Sequence, residues 1–322
     1  MYEEWLDLDV TGIRELTSAV KEFELRAPDK SALPAFRAGA HLRFMLPVET
    51  GAVERCYSLI NASEQNAIYR IAVHRAAQSK GGSSFMCESV MVGTRLRARP
   101  PKNDFVLTSG GRHHVLLAGG IGITPIFSMA KALAAANQSF EIHYVARTPE
   151  SMAYRDEIAA AFDDRVQVYF DHGDPSMGMP LQRILAGPEN GTHVYVCGPQ
   201  PMIDSVLANA QLQGWRGDSI HFELFAPPAT DPSDSAIEVT LARSHQTVQV
   251  PAGKPILDAL LEHGCDLLYD CRRGECGICA VPVLEGVPEH RDYALSESQK
   301  RDNSTMCICV SRAKTQRLVL DI

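Results

Sequence analysis

The pattern of apolar and polar positions changes twice along the chain. Over roughly the first hundred residues, short runs such as His41 to Leu46 and Tyr69 to Val73 partly alternate apolar and polar side chains, and glycines and prolines separate them. Alternation with this punctuation is typical of strands that bury one face. The pattern therefore predicts an antiparallel barrel or sandwich over residues 1–108.

From Val115 onward, apolar runs alternate with helical patterns. The predicted strands are Val115 to Ala118, Phe140 to Val145, Val166 to Phe170 and His193 to Cys197, and the predicted helices are an Ala-rich run ending at Ala136, Met152 to Phe162, Leu181 to Leu185 and Pro201 to Gln213. Alternating strands and helices imply a parallel sheet covered on both faces, and such sheets bind nucleotides at the carboxyl ends of their strands. We expect an α/β nucleotide-binding domain over residues 109–226.

The third pattern follows a polar segment. Residues 227–235 contain three prolines and almost no apolar side chains, which predicts a linker. Beyond it come two short alternating stretches and one helical pattern that stops at Gly264. A small sheet with one helix is expected over residues 236–322.

Composition excludes several classes of partner. The 322 residues carry 31 Lys and Arg against 39 Asp and Glu, a formal charge of −8, which argues against a nucleic acid or an anionic membrane as partner. The first nine residues are acidic, and the longest apolar run, Val115 to Phe127, is interrupted by three glycines, Thr124 and Pro125. We therefore expect a cytoplasmic protein.

Five of the nine cysteines lie close together near the C-terminus, at positions 271, 276, 279, 307 and 309. Cys271, Cys276 and Cys279, followed by another cysteine about thirty residues later, have the plant-type [2Fe–2S] spacing. Zinc sites typically pair cysteines two to four apart in two matched clusters, and the spacing here fits that poorly. Periodicity leaves the fourth ligand open, because Cys307 and Cys309 would face the same side of a strand.

Two further pairs of motifs suggest sites for anions. Arg55-Cys56-Tyr57-Ser58 and the turn Gly81-Gly82-Ser83-Ser84 suit a phosphate, although alone they are equally compatible with a surface arginine beside a flexible turn. The other pair consists of Gly119-Gly120-Ile121-Gly122-Ile123-Thr124-Pro125 directly after one predicted strand and Cys197-Gly198-Pro199 at the end of another. Its glycines would let the backbone approach a pyrophosphate.

In this order and at these distances, the motifs Arg-x-Tyr-Ser, Gly-Gly-x-Gly-x-Thr-Pro and Cys-Gly-Pro resemble those of the ferredoxin-NADP reductase superfamily. With the cysteines at the end, the chain resembles the phthalate dioxygenase reductase family over essentially its whole length. The resemblance implies FMN in an antiparallel β-barrel, a nicotinamide nucleotide in the α/β domain and a [2Fe–2S] cluster in a C-terminal β-grasp ferredoxin domain of plant type.

The family's flavin motif can be carried over residue by residue. It implies that FMN is bound by Arg55, Tyr57, Ser58, Gly81, Gly82, Ser83 and Ser84, with the ring of Phe225 beside the flavin. Apart from the motif, we expect the backbone of His74 to line the flavin site. Phe222 would then pack in the core. Cys56 departs from the family's threonine, and we expect its side chain to point away from the ring.

The nucleotide motif implies a second set of residues. Its members are Gly119, Gly120, Gly122, Thr124, Pro125, Cys197, Gly198 and Pro199, and the ends of two predicted strands add Arg147 and Asp171 as candidates. Cys197 is either a buried thiol at a strand end or a contact to the nicotinamide. Arg147 would suit a 2′-phosphate, but the family's equivalent turn occurs in NADH users. Asp171 would repel a phosphate and accept a ribose hydroxyl, which favours NADH over NADPH.

The resemblance also selects the fourth cluster ligand. The family's last cysteine precedes a Val-Ser-Arg-Ala sequence, here residues 310–313, so the implied ligands are Cys271, Cys276, Cys279 and Cys309. Cys307 would be a neighbour of the cluster. Arg272 and Arg273 lie inside the ligand loop, where they either remain solvated or pair with carboxylates on a partner.

These cofactors together predict a function. NADH delivers two electrons at once and a [2Fe–2S] cluster accepts one, so a flavin is needed between them. Plant-type clusters lie near about −400 mV and Rieske centres between about −150 and +300 mV, so such a cluster is a donor. We expect the reductase component of a two-component Rieske oxygenase system that acts on an aromatic acid or a similar small molecule. The alternatives are a reductase for another acceptor, such as a cytochrome, and a ferredoxin carrier on an inert scaffold.

Overall fold

The computed structural model describes residues 5–49, 51–61, 67–77, 81–228 and 231–322. The chain divides into a first unit, Met1–Phe225, and a second unit, Ala226–Ile322. Ala229 and Thr230 of the predicted linker, and the first four residues of the acidic N-terminus, lie outside the described residues. Among the residues described, no helix has both the length and the apolar character to cross a membrane.

The first unit begins with an antiparallel sheet. Its strands are β1 Leu6–Thr17, β2 Val20–Arg26, β3 His41–Val48, β4 Gly51–Ser58, β5 Tyr69–His74 and β6 Arg95–Ala98, in the order β4-β3-β6-β1-β2-β5. The sheet curls so that a bridge between Leu59 and Ile71 joins its two edges, which makes a partly closed barrel. Alternation in β2 buries Phe23 and Leu25 in the core of this sheet, whereas Val20 is buried against the α/β sheet.

Two helical turns follow β5. The short helix α1, Gly82–Ser84, continues directly into a π-helical turn, Phe85–Ser89. The Gly-Gly-Ser-Ser segment is therefore a helical turn and not the flexible loop that its composition suggests.

A parallel α/β sheet completes the first unit. Its elements are β7 His113–Gly119, α2 Ile123–Ala135, β8 Phe140–Ala146, α3 Arg155–Phe162, β9 Val166–Phe170, α4 Leu181–Ile184, β10 Thr192–Cys197, α5 Gln200–Leu212 and β11 Ile220–Glu223, with one-turn 3₁₀ helices between several of them. The order β11-β10-β7-β8-β9 reverses between β7 and β10. At such a reversal the loops after the two strands diverge and leave a crevice for a ligand.

Two details of this sheet differ from the sequence prediction. Helix α3 starts at Arg155 and not at Met152, because a capping box between Thr148 and Ser151 closes a separate 3₁₀ turn and Tyr154 has a left-handed φ of 60°. The edge strand β11 was not predicted. Its four residues include a histidine and a glutamate, so it lacks the continuous apolar run of the inner strands.

The second unit is a small mixed sheet with two helices. Its elements are β12 Ile237–Leu241, β13 Thr247–Val250, α6 Ile256–Glu262, β14 Ala280–Glu285, β15 Pro288–Glu289, α7 Glu297–Asp302, β16 Thr305–Cys307, β17 Arg312–Ala313 and β18 Arg317–Leu320. The main sheet has the order β13-β12-β18-β14-β16, and β12 and β18 are parallel. This arrangement is the predicted β-grasp. The sequence analysis missed α7, which a capping box between Ser296 and Gln299 begins.

The second half of the predicted linker is held by the second unit. The buried Asp234 carboxylate accepts hydrogen bonds from both Nη atoms of Arg291, at 3.0 and 2.5 Å. Arg312 donates to the carbonyl of Ser235 at 2.7 Å. These contacts give a polar segment the fixed partners that its composition does not reveal.

Candidate functional site

The predicted cluster ligands lie on one loop and one turn of the second unit. The loop of residues 271–279 leads into β14, and Arg272, Gly274 and Gly277 adopt left-handed φ values of 54°, 79° and 72° there. Cys309 lies in the turn after β16. Cys276 is exposed, Cys271 is half-buried, and Cys279 and Cys309 are buried.

The sulfurs of this region contact one another. Cys271 and Cys276 share a hydrogen bond, and Cys279 accepts hydrogen bonds from the thiols of Cys307 and Cys309. These two thiols lower the pKa of Cys279 to about 3, and the same contacts raise the pKa of Cys307 and of Cys309. One sulfur can thus carry a negative charge at neutral pH, which is the state in which a thiol binds metal.

Backbone N–H groups also point at the sulfurs. Arg273 donates its amide to Cys271 Sγ at 3.3 Å, Gly274 donates to Cys309, and Ile278 donates to Cys276. Amides aimed at sulfur stabilise anionic thiolates, so this donor set fits an iron–sulfur cluster. Within the described ranges, no three or more His, Cys, Asp or Glu groups converge as ligands of one ion. A cluster of two irons spreads its four thiolates more widely than one ion does.

The structure separates the two candidates for the fourth ligand. Cys307 ends β16, is fully buried and pairs with Ala280 across the sheet. Cys309 instead interacts with both ends of the loop, with Cys279 and electrostatically with Cys271, and it accepts the Gly274 amide. The geometry therefore favours Cys309.

The two arginines of the loop differ in exposure. The Arg272 side chain is 47% exposed, lies 4.3 Å from the ring centroid of Tyr269 and contacts Asp258 at 3.3 Å. The Arg273 side chain is 11% exposed and pairs with Glu275 at 2.8 Å. Both arginines were expected to be either solvated or paired with a partner's carboxylates, and this is wrong for Arg273, because the Glu275 carboxylate holds it inside the unit.

The predicted flavin residues lie at the end of β4 and the turn after β5. A methyl group added at Gly82 would be 2.8 Å from Cγ and Nε of Arg55, so the turn needs glycine where the arginine stem passes. Gly81 has a φ of 94° and faces Val48. Ser83 accepts the amide of Ala76 at 3.3 Å. The guanidinium and the Gly81–Ser84 turn are thus neighbours, as a phosphate site requires.

The strand β4 alternates in exposure as far as Tyr57. Cys56 is exposed, whereas Arg55 and Tyr57 are half-buried and Ser58 is buried. The hydroxyl of Tyr57 is buried with no hydrogen-bond partner among the described residues, and burial raises its pKa. An orphaned polar atom beside a phosphate cradle fits a polar ring system such as flavin.

Other predicted flavin residues are placed less uniformly. Phe225 is 41% exposed at the end of the first unit, and His74 is exposed at the end of β5. Desolvation and the positive charge of Arg147 lower the pKa of His74, so these two residues are within electrostatic reach of each other. The candidate flavin and nucleotide residues therefore approach at this point.

The glycines of the nucleotide motifs hold two loops together. A methyl group at Gly122 would lie 2.1 Å from the carbonyl oxygen of Cys197, and one at Gly119 would lie 2.8 Å from Pro199. Gly198 packs in turn against the backbone of Gly119. Only Gly120, with a φ of 54°, has open space above it. Most of these glycines therefore serve contact between the loops, where the sequence analysis expected them to admit a pyrophosphate.

The remaining nucleotide candidates lie at the same edge of the sheet. Thr124 and Pro125 are buried in the first turn of α2, and the Thr124 hydroxyl donates to the Ile121 carbonyl at 3.0 Å. Cys197 is fully buried at the end of β10. Arg147 follows β8 and is exposed, and Asp171 follows β9, where its carboxylate accepts the Gly173 amide at 2.9 Å.

Sequence reasoning missed a buried acid beside these loops. Glu223 ends β11 opposite Cys197, is 3% exposed and lies 3.9 Å from the ring of the equally buried His41. An acid within the run His221 to Phe225 was the available signal. A buried carboxylate next to the end of β10 makes this edge of the sheet chemically distinctive.

Comparisons with known proteins match the whole chain. Residues 94–220 match the family model described as "Dimethylamine monooxygenase subunit DmmA-like, N-terminal domain", and residues 239–314 match that of the 2Fe-2S iron-sulfur cluster binding domain. The phthalate 4,5-dioxygenase oxygenase reductase subunit of Pseudomonas putida is 39% identical, covering 99% of each chain. The carnitine monooxygenase reductase subunit of Acinetobacter baumannii is 38% identical, covering 97% of this chain and 96% of its own.

A solved structure shows the same architecture. Phthalate dioxygenase reductase, whose structure is described as modular for electron transfer from pyridine nucleotides to [2Fe–2S], superposes with a TM-score of 0.76 at 34% identity over 99% of this chain and 98% of that one. The predicted family, fold class and iron–sulfur domain are thereby confirmed. The chain belongs to the phthalate dioxygenase reductase family of electron-transfer oxidoreductases.

Proposed function

We propose that this protein is the NADH-dependent reductase component of a two-component Rieske oxygenase system. The oxygenase of that system would oxidise an aromatic acid or a similar small molecule. The observation that supports it most is the group of cysteine sulfurs in the second unit, surrounded by backbone amides. A reductase without such a group would not need the second unit. The reductase subunits of oxygenases among its relatives support an oxygenase as partner.

The first unit binds FMN and NADH in this proposal. Arg55 and the Gly81–Ser84 turn hold the flavin phosphate, Tyr57 and Ser58 contact the ring, and Phe225 covers it. FMN, when bound, takes up hydride from NADH and releases electrons singly. The chain's part is to orient the two ring systems and exclude water.

The nucleotide lies at the crevice between β7 and β10. The interlocked loops at Gly119–Gly122 and Cys197–Pro199 fix the backbone there, and Asp171 accepts a ribose hydroxyl. A 2′-phosphate would meet the Asp171 carboxylate, so NADH is preferred. We expect kcat/KM for NADH to exceed that for NADPH, and Asp171→Asn to narrow the ratio. An unchanged ratio would remove Asp171 from the site.

The second unit holds the cluster through Cys271, Cys276, Cys279 and Cys309. Loss of these ligands should separate two activities, since ferricyanide draws electrons from flavin whereas cytochrome c and oxygenases draw on the cluster. The test is to measure flavin and iron per chain and then NADH-driven reduction of ferricyanide, a Rieske oxygenase component and a cytochrome P450. FMN, two irons and transfer to the Rieske component are expected. Transfer to the P450 alone would favour the alternative acceptor.

The division of the chain gives a second test. The domains are proposed as residues 1–108, 109–226 and 236–322, with a linker at 227–235, and the compact first unit ends at Phe225. A chain ending at Phe225 should keep FMN and ferricyanide reduction but lose cytochrome c reduction. If it binds FMN and fails with ferricyanide, the proposed electron path is wrong.

A further inference from the structure

A buried carboxylate lies behind the cysteine loop and has no place in the function proposed so far. Asp292 lies between β15 and α7, and its side chain is fully inaccessible to solvent. Its oxygens accept two hydrogen bonds, one from the Leu295 amide at 2.9 Å and one from the Ser311 hydroxyl at 3.1 Å. The ring of His290 lies 3.6 Å away. Burying a charge is costly, so a fully buried carboxylate with defined donors needs an explanation.

The bond to Leu295 closes a turn that contacts the cysteine loop. Within this turn, the amides of Tyr293 and Ala294 donate to the carbonyl of Gly274 at 2.9 and 3.0 Å. A methyl group at Gly274 would lie 3.0 Å from Cα of Asp292, so the two backbones are pressed together. The Asp292 carboxylate thus fixes the turn whose amides bind the Gly274 carbonyl.

Gly274 also interacts with the sulfur of Cys309, through its amide. Its own amide donates to Cys309, and its left-handed φ of 79° turns the amide and the carbonyl in different directions. The second bond of Asp292 is to Ser311, which follows Cys309 by two residues and donates its amide to the Cys307 carbonyl at 3.0 Å. Asp292 therefore connects both segments that carry the cysteines.

We propose that Asp292 is a positioning residue for the iron–sulfur site. Through its hydrogen bonds to Leu295 and Ser311, it fixes the 292–295 turn relative to Ser311 and so holds the Gly274 amide against the Cys309 sulfur. This inference rests on the proposed function, since it concerns the cluster that the cysteines hold. Amides that donate to the sulfurs tune a cluster and retain it. The role is one of hydrogen-bond geometry and does not depend on the negative charge.

The charge and the geometry can be separated by two substitutions. Asp292→Asn removes the charge but keeps a shape that can accept the Leu295 amide with Oδ1 and donate to Ser311 Oγ with Nδ2, because a hydroxyl both donates and accepts. Asp292→Ala removes both bonds. Val239→Ala, in the core of β12, is the matched control, because it weakens the same unit at a fully buried site outside the cysteine loop.

The experiment measures, on the full-length reduced holoprotein, the rate at which a ferrous chelator removes iron, together with the EPR spectrum of the cluster. Asp292→Ala should release iron on the order of tenfold faster than wild type and show a changed spectrum, as expected when a group behind a metal ligand is lost. Asp292→Asn and Val239→Ala should stay within about twofold with unchanged spectra.

Several results would overturn the inference. Equal effects of the Asn and Ala substitutions would assign the effect to charge, and equal iron release by Asp292→Ala and Val239→Ala would assign it to general stability. If Asp292→Ala does not fold, Ser311→Ala removes one of the two bonds to Asp292, together with the acceptor of the Arg291 amide, and should still accelerate release measurably. An unchanged rate would refute the role. Wild-type protein without two irons would instead refute the proposed function, which is a distinct outcome.

Discussion

The loops at the crevice of the α/β sheet and the cysteine loop of the second unit both depend on glycine, but for different reasons. In the crevice, Gly122 is required because the carbonyl of Cys197 occupies the space of its missing side chain. In the cysteine loop, Gly274 and Gly277 take left-handed φ values of 79° and 72°, and Gly274 also lies close to Val310 and Asp292. The contrast is therefore clearest between Gly122, which has an ordinary φ of −60° and is required by a distant segment, and Gly277, which is required by its own backbone.

This difference explains why one site was easier to find than the other. A thiol is itself a metal ligand, so the spacing of Cys271, Cys276 and Cys279 carries chemical meaning without the fold. A glycine carries no chemistry, and Gly119 and Gly122 acquire meaning only when β10 is placed beside β7. Direct tests of the comparison are therefore substitutions that affect one cause and not the other.

The largest effect is expected at Gly122. Gly122→Ala places a methyl group 2.1 Å from a backbone oxygen, so the two loops must separate. NADH-dependent ferricyanide reduction should fall by about 100-fold or more, because misplacement by about 1 Å has that consequence for oriented reactants. Steady-state kinetics with NADH measure the loss.

Gly120 provides the matched control for this prediction. It has open space above it, so Gly120→Ala costs only the strain of a left-handed alanine, about 1–2 kcal/mol, and should retain most of the activity. If both variants lose activity equally, the glycines serve backbone conformation or ligand approach, and the contact with Cys197 is not the reason for Gly122.

The next effect concerns which thiol belongs to the cysteine loop. Cys309→Ser should reduce iron per chain or strongly change the EPR spectrum, because Cys309 interacts with both Cys271 and Cys279. Cys307→Ser should retain two irons, since that thiol ends a strand and interacts with Cys279 and Cys309, whereas Cys309 also interacts with Cys271 at the other end of the loop. Iron analysis and EPR of the two variants, side by side, decide the assignment. The reverse pattern would mean that the turn after β16 is out of register by two residues.

The elements that the sequence predicted well are those whose pattern is local. Strand β9 occupies the predicted residues Val166–Phe170, and the inner strands differ from prediction by one or two residues at their ends, because their apolar runs are continuous. The edge strand β11 and the start of α3 were missed, since the first is defined by its pairing with β10 and the second by a capping box. Continuous apolar runs could thus be predicted from the sequence, whereas pairing between strands and the ends set by capping boxes were missed.

The same limit applied to single residues. Glu223 and Asp292 are buried acids that interact with residues distant along the chain. Glu223 lies beside His41, and Asp292 accepts a hydrogen bond from Ser311. Arg273 looked like Arg272 in the sequence, yet the ion pair with Glu275 holds it inside. Contacts of this kind depend on how the chain packs, so the spacing of residues along the sequence does not predict them.

A smaller effect should appear on the outer side of the cysteine loop. Arg272→Glu reverses an exposed charge, whose contacts with Asp258 and Tyr269 leave the side chain 47% accessible. Electron transfer to an oxygenase should slow by roughly 3- to 10-fold at low salt, and the difference should shrink as salt screens the encounter. Stopped-flow kinetics across a salt titration measure it.

Arg243→Glu is the matched control for the loop charge. It makes the same change of charge in the second unit, outside the cysteine loop, at a side chain that is 71% exposed and paired with Asp321. Equal slowing by both variants would show that net charge, and not the cysteine loop, steers the partner. Ferricyanide reduction should be unchanged in both.

The smallest effect, on the pH dependence of stability, is expected at the opposite edge of the α/β sheet. Several histidines lie there, in contrast to the glycines of the crevice. His114 stacks on His193 at 6.1 Å, and His193 Nδ1 lies 3.1 Å from Nε2 of His221. Burial, with the charges of neighbouring histidines, lowers the pKa of His114 from 6.5 to about 4. The unfolded chain therefore binds a proton below pH 6.5 that the folded unit refuses until about pH 4, so stability falls as pH drops through this window. One such proton contributes at most about 1.4 kcal/mol per pH unit.

His114→Gln should reduce the slope of unfolding free energy against pH between pH 7.5 and 5. The measurement follows unfolding of the full-length protein in denaturant by flavin fluorescence. An unchanged slope in His114→Gln would mean that this imidazole contributes nothing to the acid sensitivity of the first unit.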